Sequence, residues 1–275
     1  MILVTGYKGF IGSFLVHRLI QLNYRIRCFE WGDKLNLDGV KTVMHLGAIS
    51  STTEKDVEKV LTQNYDFSVE LLNLCIENKI DLQYASSASV YGLNKEFNEN
   101  SSVDPRTPYA WSKYLFERQA NKAIQQKVGI TIQGFRYFNV WAEFGEDHKL
   151  NQSSPYFKFL KEARETNYIT LFKKSENYKR DFIYVDQIID LHLKFLQIKE
   201  SGIWNFGTGK AKSFLQVARE VNSLYPCQFK TIKMPEQLVN SYQEYTCADM
   251  KKTNSTLKLW GLYEEDIDYG PAWSR

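Results

Sequence analysis

Tyr109 and Lys113 stand four residues apart in TPYAWSKYLFE, just behind a threonine and a proline. Thr107 suits an N-cap and Pro108 the first helical position, so the segment predicts a helix beginning at Tyr109. Residues at i and i+4 share a helix face, which lets the phenol and the ammonium reach one bound molecule together. A free tyrosine has a pKa near ~10, and a neighbouring cation favours its phenolate. Such a phenolate can take a proton from a hydroxyl group. Ser87, in SSASVYG, can donate a hydrogen bond to the reacting oxygen; its alternative role is to cap a turn. The four-residue spacing is common on solvated helices, so its weight depends on the elements around it.

The opening MILVTGYKGFIGSFLVHRLIQLNYRIRCFEW reads strand, glycine turn, helix, strand. Gly6, Gly9 and Gly12 fall where the helix begins. Glycines there permit a tight turn and a close approach by a diphosphate, whose charge the helix N-terminus stabilises. With an oxidised nicotinamide in reach, hydride can leave a carbon while the phenolate takes the proton of its hydroxyl. Glu30 ends the second strand, where a carboxylate accepts hydrogen bonds from an adenosine ribose. That favours NAD, because a 2′-phosphate would be repelled, although Lys34 offsets part of the repulsion. Only GDKLNLDGVK separates Glu30-Trp31 from TVMHLGA, whereas a parallel crossover normally takes a dozen residues or more. The sheet is therefore expected to be trimmed near residues 31–42, with a minimal or absent third strand and no full helix over 32–41.

Residues 57–78 read as a helix, with Leu71, Leu72, Cys75 and Ile76 on one face. LQYASSASVYG and ITIQGFRYFNV read as strands. Repeated βαβ units imply the α/β class with a Rossmann-type doubly wound parallel sheet. After Asn139 the sequence becomes aromatic and mixed in charge. Asp186 to Phe195 reads as a helix, and Ser213 with Gln216 has the spacing of a capping box. The expected organisation is a dinucleotide-binding domain over 1–140 and a smaller substrate lobe over 141–275, some of whose segments return to the main domain.

Hydrophobic residues make up 43% and charged residues 24%, as in soluble globular proteins. The net charge of +3 is spread along the chain, which argues against a nucleic-acid partner. No apolar run approaches membrane-spanning length, so no membrane partner is expected. Met1 runs directly into Ile2-Leu3-Val4, which leaves no room for a signal peptide. Cys28, Cys75, Cys227 and Cys247 lack zinc spacing, and His17, His45, His148 and His192 form no cluster. The expectation is no metal, and free thiols in a reducing cytoplasm.

TGYKGFIG, HLGA, YASSASVYG, Tyr-x-x-x-Lys and WNFGTG occur in the order they have in the extended short-chain dehydrogenase/reductase family. The chain resembles that family, in its nucleotide-sugar branch, over nearly its whole length. AISSTTE, FRYFNV, SENYKRDFIYV, SGIWNFGTG and YQEYTCADM are similar to the ADP-heptose 6-epimerases of that branch. The resemblance implies tightly bound NAD or NADP, a nucleotide-sugar substrate, and inversion at heptose C6″ without net redox change. Hydride leaves to give a 6-keto sugar and returns to the opposite face. Inversion calls for proton handling on both faces. The resemblance puts the second acid/base at Lys149 of EDHK. That loop has Trp141-Ala142-Glu143 where the family has Tyr-Gly-Pro, and one more residue before His148-Lys149.

By position, the resemblance also implies Phe10 and Ile11 over the diphosphate. It places Glu30, Trp31, Leu46, Gly47 and Ala48, with Asn64 and Val140, along the rest of the cofactor. Asn139, Asn151, Phe172, Ser175, Arg180 and Tyr242 would hold the sugar nucleotide. A guanidinium fork suits a diphosphate; the plainer role for Arg180 is an ion pair with Asp181. The deletion after Glu30 removes family positions at the adenosine end and leaves NAD against NADP open. A nucleotide-sugar 4-epimerase or a heptose-nucleotide oxidoreductase would use the same serine, tyrosine and lysine. A dehydratase is disfavoured, since SSASVYG carries no acidic pair. A non-catalytic dinucleotide sensor would be expected to lose the tyrosine or the lysine, and both are present. A homo-oligomer is expected.

Overall fold

β1 (Ile2–Thr5) is apolar and buried along its whole length, as a strand covered on both faces must be. In the computed structural model it pairs in parallel with β2 (Ile26–Phe29) on one side and β3 (Thr42–His45) on the other. Residues 1–51, 54–236 and 242–265 are described, apart from the side chains of His148, Leu150 and Asn151. β4 (Asp81–Ser87), β5 (Ile132–Tyr137) and β9 (Gly202–Phe206) extend the sheet in the order β2-β1-β3-β4-β5-β9, every pair parallel.

The sheet ends at β2 because the chain is too short there to build more. Residues 30–41 carry neither helix nor strand, so the third strand and its helix are missing, as the short spacer requires. Arg27 binds this connection to the sheet edge. Its Nη1 donates to the Asn36 carbonyl and side-chain oxygens, each at 2.8 Å, and to the Asp38 carbonyl at 3.1 Å. Leu35 and Leu37 pack against the core beneath. A covered edge strand resists pairing with another chain.

α1 (Phe10–Gln21) follows the glycine turn. The helix expected over 57–78 is interrupted: α2 (Val57–Leu61) gives way to a π turn at Thr62–Asp66 before α3 (Phe67–Glu77). Such turns recur at functional sites. α4 (Pro108–Gln125) starts as its cap residues predict, with Thr107 Oγ1 accepting from the Ala110 amide at 3.1 Å and Pro108 in the first turn.

The chain leaves the main sheet at Phe138. β6 (Asn139–Trp141), β8 (Lys179–Tyr184) and β10 (Ala211–Ser213) form a second sheet in the order β10-β8-β6. β7 (Tyr168–Phe172) pairs with β11 (Gln228–Ile232). α5 (Pro155–Thr166) and α7 (Phe214–Leu224) pack around Trp141 and Tyr156, whose rings stack at 3.7 Å. Ser213 and Gln216 form the expected capping box of α7. α6 (Val185–Phe195) packs its Val185 and Ile189 with Leu15 and Leu19 of α1. α8 (Lys251–Leu259) is tied to β9 by a 3.0 Å hydrogen bond from Trp204 Nε1 to Thr256 Oγ1. The buried Asp181 carboxylate joins three segments: it accepts from the Thr208 amide and hydroxyl, the Gly209 amide and the Ala248 amide at 2.6–3.0 Å.

Candidate active site

The turn between β1 and α1 is built so tightly that only glycine fits. Gly6 has φ +69°, and a Cβ on it would lie 2.4 Å from the Gly47 Cα. A Cβ on Gly12 would lie 2.1 Å from the Gly6 carbonyl oxygen. Gly9 is the N-cap of α1 and supplies no side-chain cap, leaving the first-turn amides to an anionic ligand.

Above this turn lies a cavity of about 380 Å³. Gly6, Gly9, Phe10, Ile11 and Gly12 form its floor. Glu30 and Trp31 line it from the end of β2, and Leu46, Gly47 and Ala48 from the end of β3. Glu30 Oε1 accepts from the Lys8 amide at 2.7 Å, and the Glu30 amide donates to Asp33 Oδ2 at 2.8 Å, so two carboxylates stand at this end. The size, the glycine floor and the acidic end fit a dinucleotide.

Asn64 and Val140, expected on the cofactor, are outside the described cavity wall. Val140 packs among apolar side chains beneath it. The amide of Asn64 is occupied: Oδ1 accepts from the Ile49 amide at 2.7 Å, and Nδ2 donates to the Ile49 carbonyl at 2.9 Å and to Ser112 Oγ at 3.1 Å. The π turn carries Asn64, which thus fixes both the loop after β3 and the second turn of α4. Ser68 Oγ donates to the Asn64 carbonyl at 2.5 Å and accepts from His45 Nε2 at 2.8 Å, while His45 Nδ1 accepts from Thr5 Oγ1 at 2.7 Å. Burial pushes the His45 pKa down to about 3, so the ring is neutral and its tautomer is set by these partners.

Tyr109 and Lys113 both line the cavity. Ser87, at the end of β4, accepts from the Ser89 amide at 3.1 Å and so caps a turn; it stands near enough to the Tyr109 phenol to favour its phenolate, although it is outside the described cavity wall. The Lys113 ammonium lies 5.9 Å from the centre of the Tyr109 ring and donates to the Ala85 carbonyl at 2.8 Å. One expectation is overturned. Burial raises the Tyr109 pKa, opposed only by the neighbouring Ser87 hydroxyl, so the protein alone does not lower it. Desolvation acts on Lys113 too and brings it down to about 8, with Glu117 pulling the other way.

Lys149 enters the same cavity from a 3₁₀ turn, Asp147–Gln152. Its ammonium sits 3.8 Å above the Phe10 ring centre and 3.2 Å from Glu146 Oε2. The loop turns at Gly145, φ +85°, with Phe144 stacked on Phe14 at 5.2 Å. Gln152 Nε2 donates to Ser51 Oγ at 2.6 Å, which joins the loop to the far side of the cavity.

Phe172, Ser175, Arg180 and Tyr242 gather in the second lobe, apart from the wall of the cofactor cavity. The Arg180 guanidinium is 5.2 Å from the Tyr242 ring centre and 5.6 Å from that of Phe214, and Nη1 donates to the Lys179 carbonyl at 2.9 Å. It is not paired with Asp181, whose oxygens are taken by the donors named above. Phe172 meets Tyr242 edge-on at 6.4 Å, and the buried Ser175 donates its amide to the Phe172 carbonyl at 3.1 Å. Asn139 Nδ2 donates to the Asp181 carbonyl at 3.2 Å and braces the lobe. The side chain of Asn151 lies outside the described residues.

Glu146, Gln63, Phe67 and Tyr137 complete the site and had no signal in the sequence reading. Phe67 stacks on Phe29 at 5.3 Å and meets Trp31 edge-on at 5.5 Å. Tyr137 lines the cavity while its hydroxyl bonds His192 Nε2. Among the described residues no group of His, Cys, Asp and Glu could hold a metal ion, and no helix is long and apolar enough to cross a membrane.

Comparison with known proteins bears on this geometry. The profile of the NAD dependent epimerase/dehydratase family matches residues 2–207. The ADP-L-glycero-D-manno-heptose-6-epimerase of Brachyspira hyodysenteriae is 36% identical over 287 aligned residues, covering 92% of this chain and 90% of that protein. The crystal structure of the Helicobacter pylori ADP-L-glycero-D-manno-heptose-6-epimerase superposes with a TM-score of 0.82 at 23% identity, over 94% of this chain and 90% of that one. The UDP-N-acetylglucosamine 4-epimerase of Methanobrevibacter ruminantium does so with a TM-score of 0.84 at 21% identity, over 97% and 93%. At those identities the two structures speak for the fold.

Proposed function

Because the chain belongs to the NAD-dependent epimerase/dehydratase family, we propose that it inverts C6″ of an ADP-activated heptose by transient oxidation. The Brachyspira relative supports the choice of sugar. One observation carries the reaction type: Tyr109 on α4 and Lys149 on the loop after β6 line one cavity from separate elements. A single proton-handling group serves oxidation or reduction at one face. A second group on the other face serves inversion, which one tyrosine does not easily supply alone.

NAD, when bound over the glycine turn, supplies an acceptor and later a donor of one hydride. Tyr109 takes the proton of the C6″ hydroxyl, and Ser87 hydrogen-bonds the same oxygen. Lys113 brings its ammonium to 5.9 Å from the phenol ring centre; burial still holds the phenol's pKa up in the protein alone, and the oxidised nicotinamide, when bound, would add the positive charge that favours the phenolate. After the keto sugar has presented its other face, Lys149 gives a proton to the oxygen as hydride returns to carbon. Arg180, held among Tyr242 and Phe214, binds the diphosphate of the sugar nucleotide, with Phe172, Ser175, Asn139 and Asn151 around it. Glu30 and Asp33 favour NAD over NADP by repelling a 2′-phosphate.

The reading includes the division into a dinucleotide domain, 1–140, and a substrate lobe, 141–275, and a homo-oligomer in the cytoplasm, where free thiols such as the four here persist. The test is to incubate the purified protein with ADP-heptose and follow the C6″ configuration by NMR. The expected result is a mixture of both epimers without added oxidant or net change in nicotinamide absorbance. Absence of inversion with bound cofactor present overturns the reading.

A further inference from the structure

Lys149 is held from two sides, and the residue that orients it, Glu146, opens the same EDHK stretch, where the sequence gives it no role. Glu146 is fully buried, at 0% exposure. Its Oε1 accepts from Ser154 Oγ at 2.7 Å and from the Ala142 amide at 3.3 Å. Its Oε2 accepts from the Ser154 amide at 2.7 Å and from Lys149 Nζ at 3.2 Å. Four donors thus fix the carboxylate, and one of them is the ammonium that lines the cavity. On its other side that ammonium rests on the Phe10 ring face. The loop is clasped from outside by Phe144, 62% exposed, on Phe14, while Phe14 meets Phe10 edge-on at 5.6 Å.

We propose that Glu146 is a positioning residue for inversion, which with the Phe144–Phe14 clasp holds Lys149 charged and aimed into the cavity. This rests on the function proposed above. The anchor matters because Lys149 stands on a short 3₁₀ turn rather than on a longer helix or a strand. Such a loop can swing its lysine into solvent, and a carboxylate held by the backbone at both ends of the loop prevents that. Burial lowers the Lys149 pKa, and the carboxylate 3.2 Å away pulls the other way by favouring the protonated form. The groups facing Lys149 are Glu146 from its own loop and the uncharged Phe10 from α1, while Tyr109 and Lys113 share the cavity. Lys158 of α5 feels Glu146 as well.

The test is kcat against pH in both directions of the epimerisation for wild type, Glu146→Gln and Phe144→Ala, with the NAD content of each purified protein measured alongside. Glu146→Gln keeps the shape and removes the charge. Lys149 then loses its proton more readily, so the limb that reports it moves to lower pH by about one unit in both directions. NAD content stays at the wild-type level, and kcat falls at least tenfold with little change in KM. Phe144→Ala alters a surface ring and keeps the fold; it is expected to lower kcat in the same way and decides the matter if Glu146→Gln does not fold. Inversion at wild-type rate with an unshifted profile in every folded variant overturns the inference while leaving the proposed function standing. Failure of the wild type to invert any ADP-heptose overturns the proposed function instead.

Discussion

Arg136 grips Glu117 with two hydrogen bonds, Nε to Oε1 at 2.9 Å and Nη2 to Oε2 at 2.7 Å, one helical turn beyond Lys113. Both side chains are buried, and Ser86 Oγ adds a 2.5 Å hydrogen bond to the same carboxylate. The pair joins β5 to α4 directly beneath the site. Removing one member of a buried ion pair leaves the other without compensation, which costs about 3–5 kcal/mol. Glu117→Ala is therefore expected to lose that much stability in urea unfolding. A loss below about 1 kcal/mol would show that the pair is solvated.

The buried Lys113 gives a pH dependence of definite sign. Its pKa in the folded protein is about 8, below the 10.5 of a free lysine, because burial disfavours the ammonium. Below pH 8 folding must bury the charge. Between pH 8 and 10.5 the unfolded chain keeps a proton that the folded protein has released, so stability rises with pH. The cofactor-free wild type should gain on the order of 3 kcal/mol relative to Lys113→Met across that window. Thermal unfolding of both proteins from pH 7 to 10.5 measures it, and parallel curves would contradict it.

The glycine turn gives a third prediction. A methyl group on Gly12 would press into the Gly6 carbonyl, which is backbone and cannot move aside as a side chain can. Gly12→Ala must therefore open the turn that shapes the cavity floor. NAD affinity measured by calorimetry is expected to fall at least tenfold, which corresponds to about 1.4 kcal/mol. Unchanged affinity would mean that the dinucleotide does not rest on this turn.

Much of this architecture was legible because its signals are local. The helix start at Thr107-Pro108, the capping box at Ser213 and the glycine turn each depend on a few consecutive residues. The missing third strand followed from counting: ten residues cannot make a helix and a crossover. The π turn could not be read, since one extra residue per turn leaves the apolar pattern of Leu71, Leu72 and Cys75 intact while it turns Asn64 inward. Glu146 was hidden for a related reason. Its donors at Ala142, Lys149 and Ser154 are gathered by loop geometry that has no periodicity. The Tyr109 pKa was misjudged because a spacing of four reveals a nearby charge and says nothing of how dry the helix end becomes.

Tyr109→Phe separates binding from chemistry. The ring that lines the cavity stays, and only the phenol hydroxyl is removed. Turnover is expected to fall by about 10²- to 10⁴-fold, the range for a lost proton-transfer group. Calorimetry should find NAD affinity close to that of the wild type. Retention of more than a tenth of the activity would move the proton-transfer role elsewhere in the cavity.

Arg180 offers the sharpest probe of the second lobe. Its guanidinium lies against the rings of Tyr242 and Phe214 and spends Nη1 on the Lys179 carbonyl, so its plane is set before substrate arrives. Burial lowers its pKa, yet an arginine keeps its charge at any physiological pH. Lysine at this position retains the charge but presents a single ammonium, which cannot grip two oxygens of a diphosphate at once. Arg180→Lys is therefore expected to raise KM for the nucleotide sugar at least tenfold while NAD affinity is unaltered, since Arg180 stands outside the cofactor cavity. Steady-state kinetics over a range of substrate concentrations, paired with calorimetry for NAD, distinguishes the two effects. A mutant that loses NAD and substrate affinity together would place Arg180 on the cofactor, and one that loses neither would leave the diphosphate to another cation.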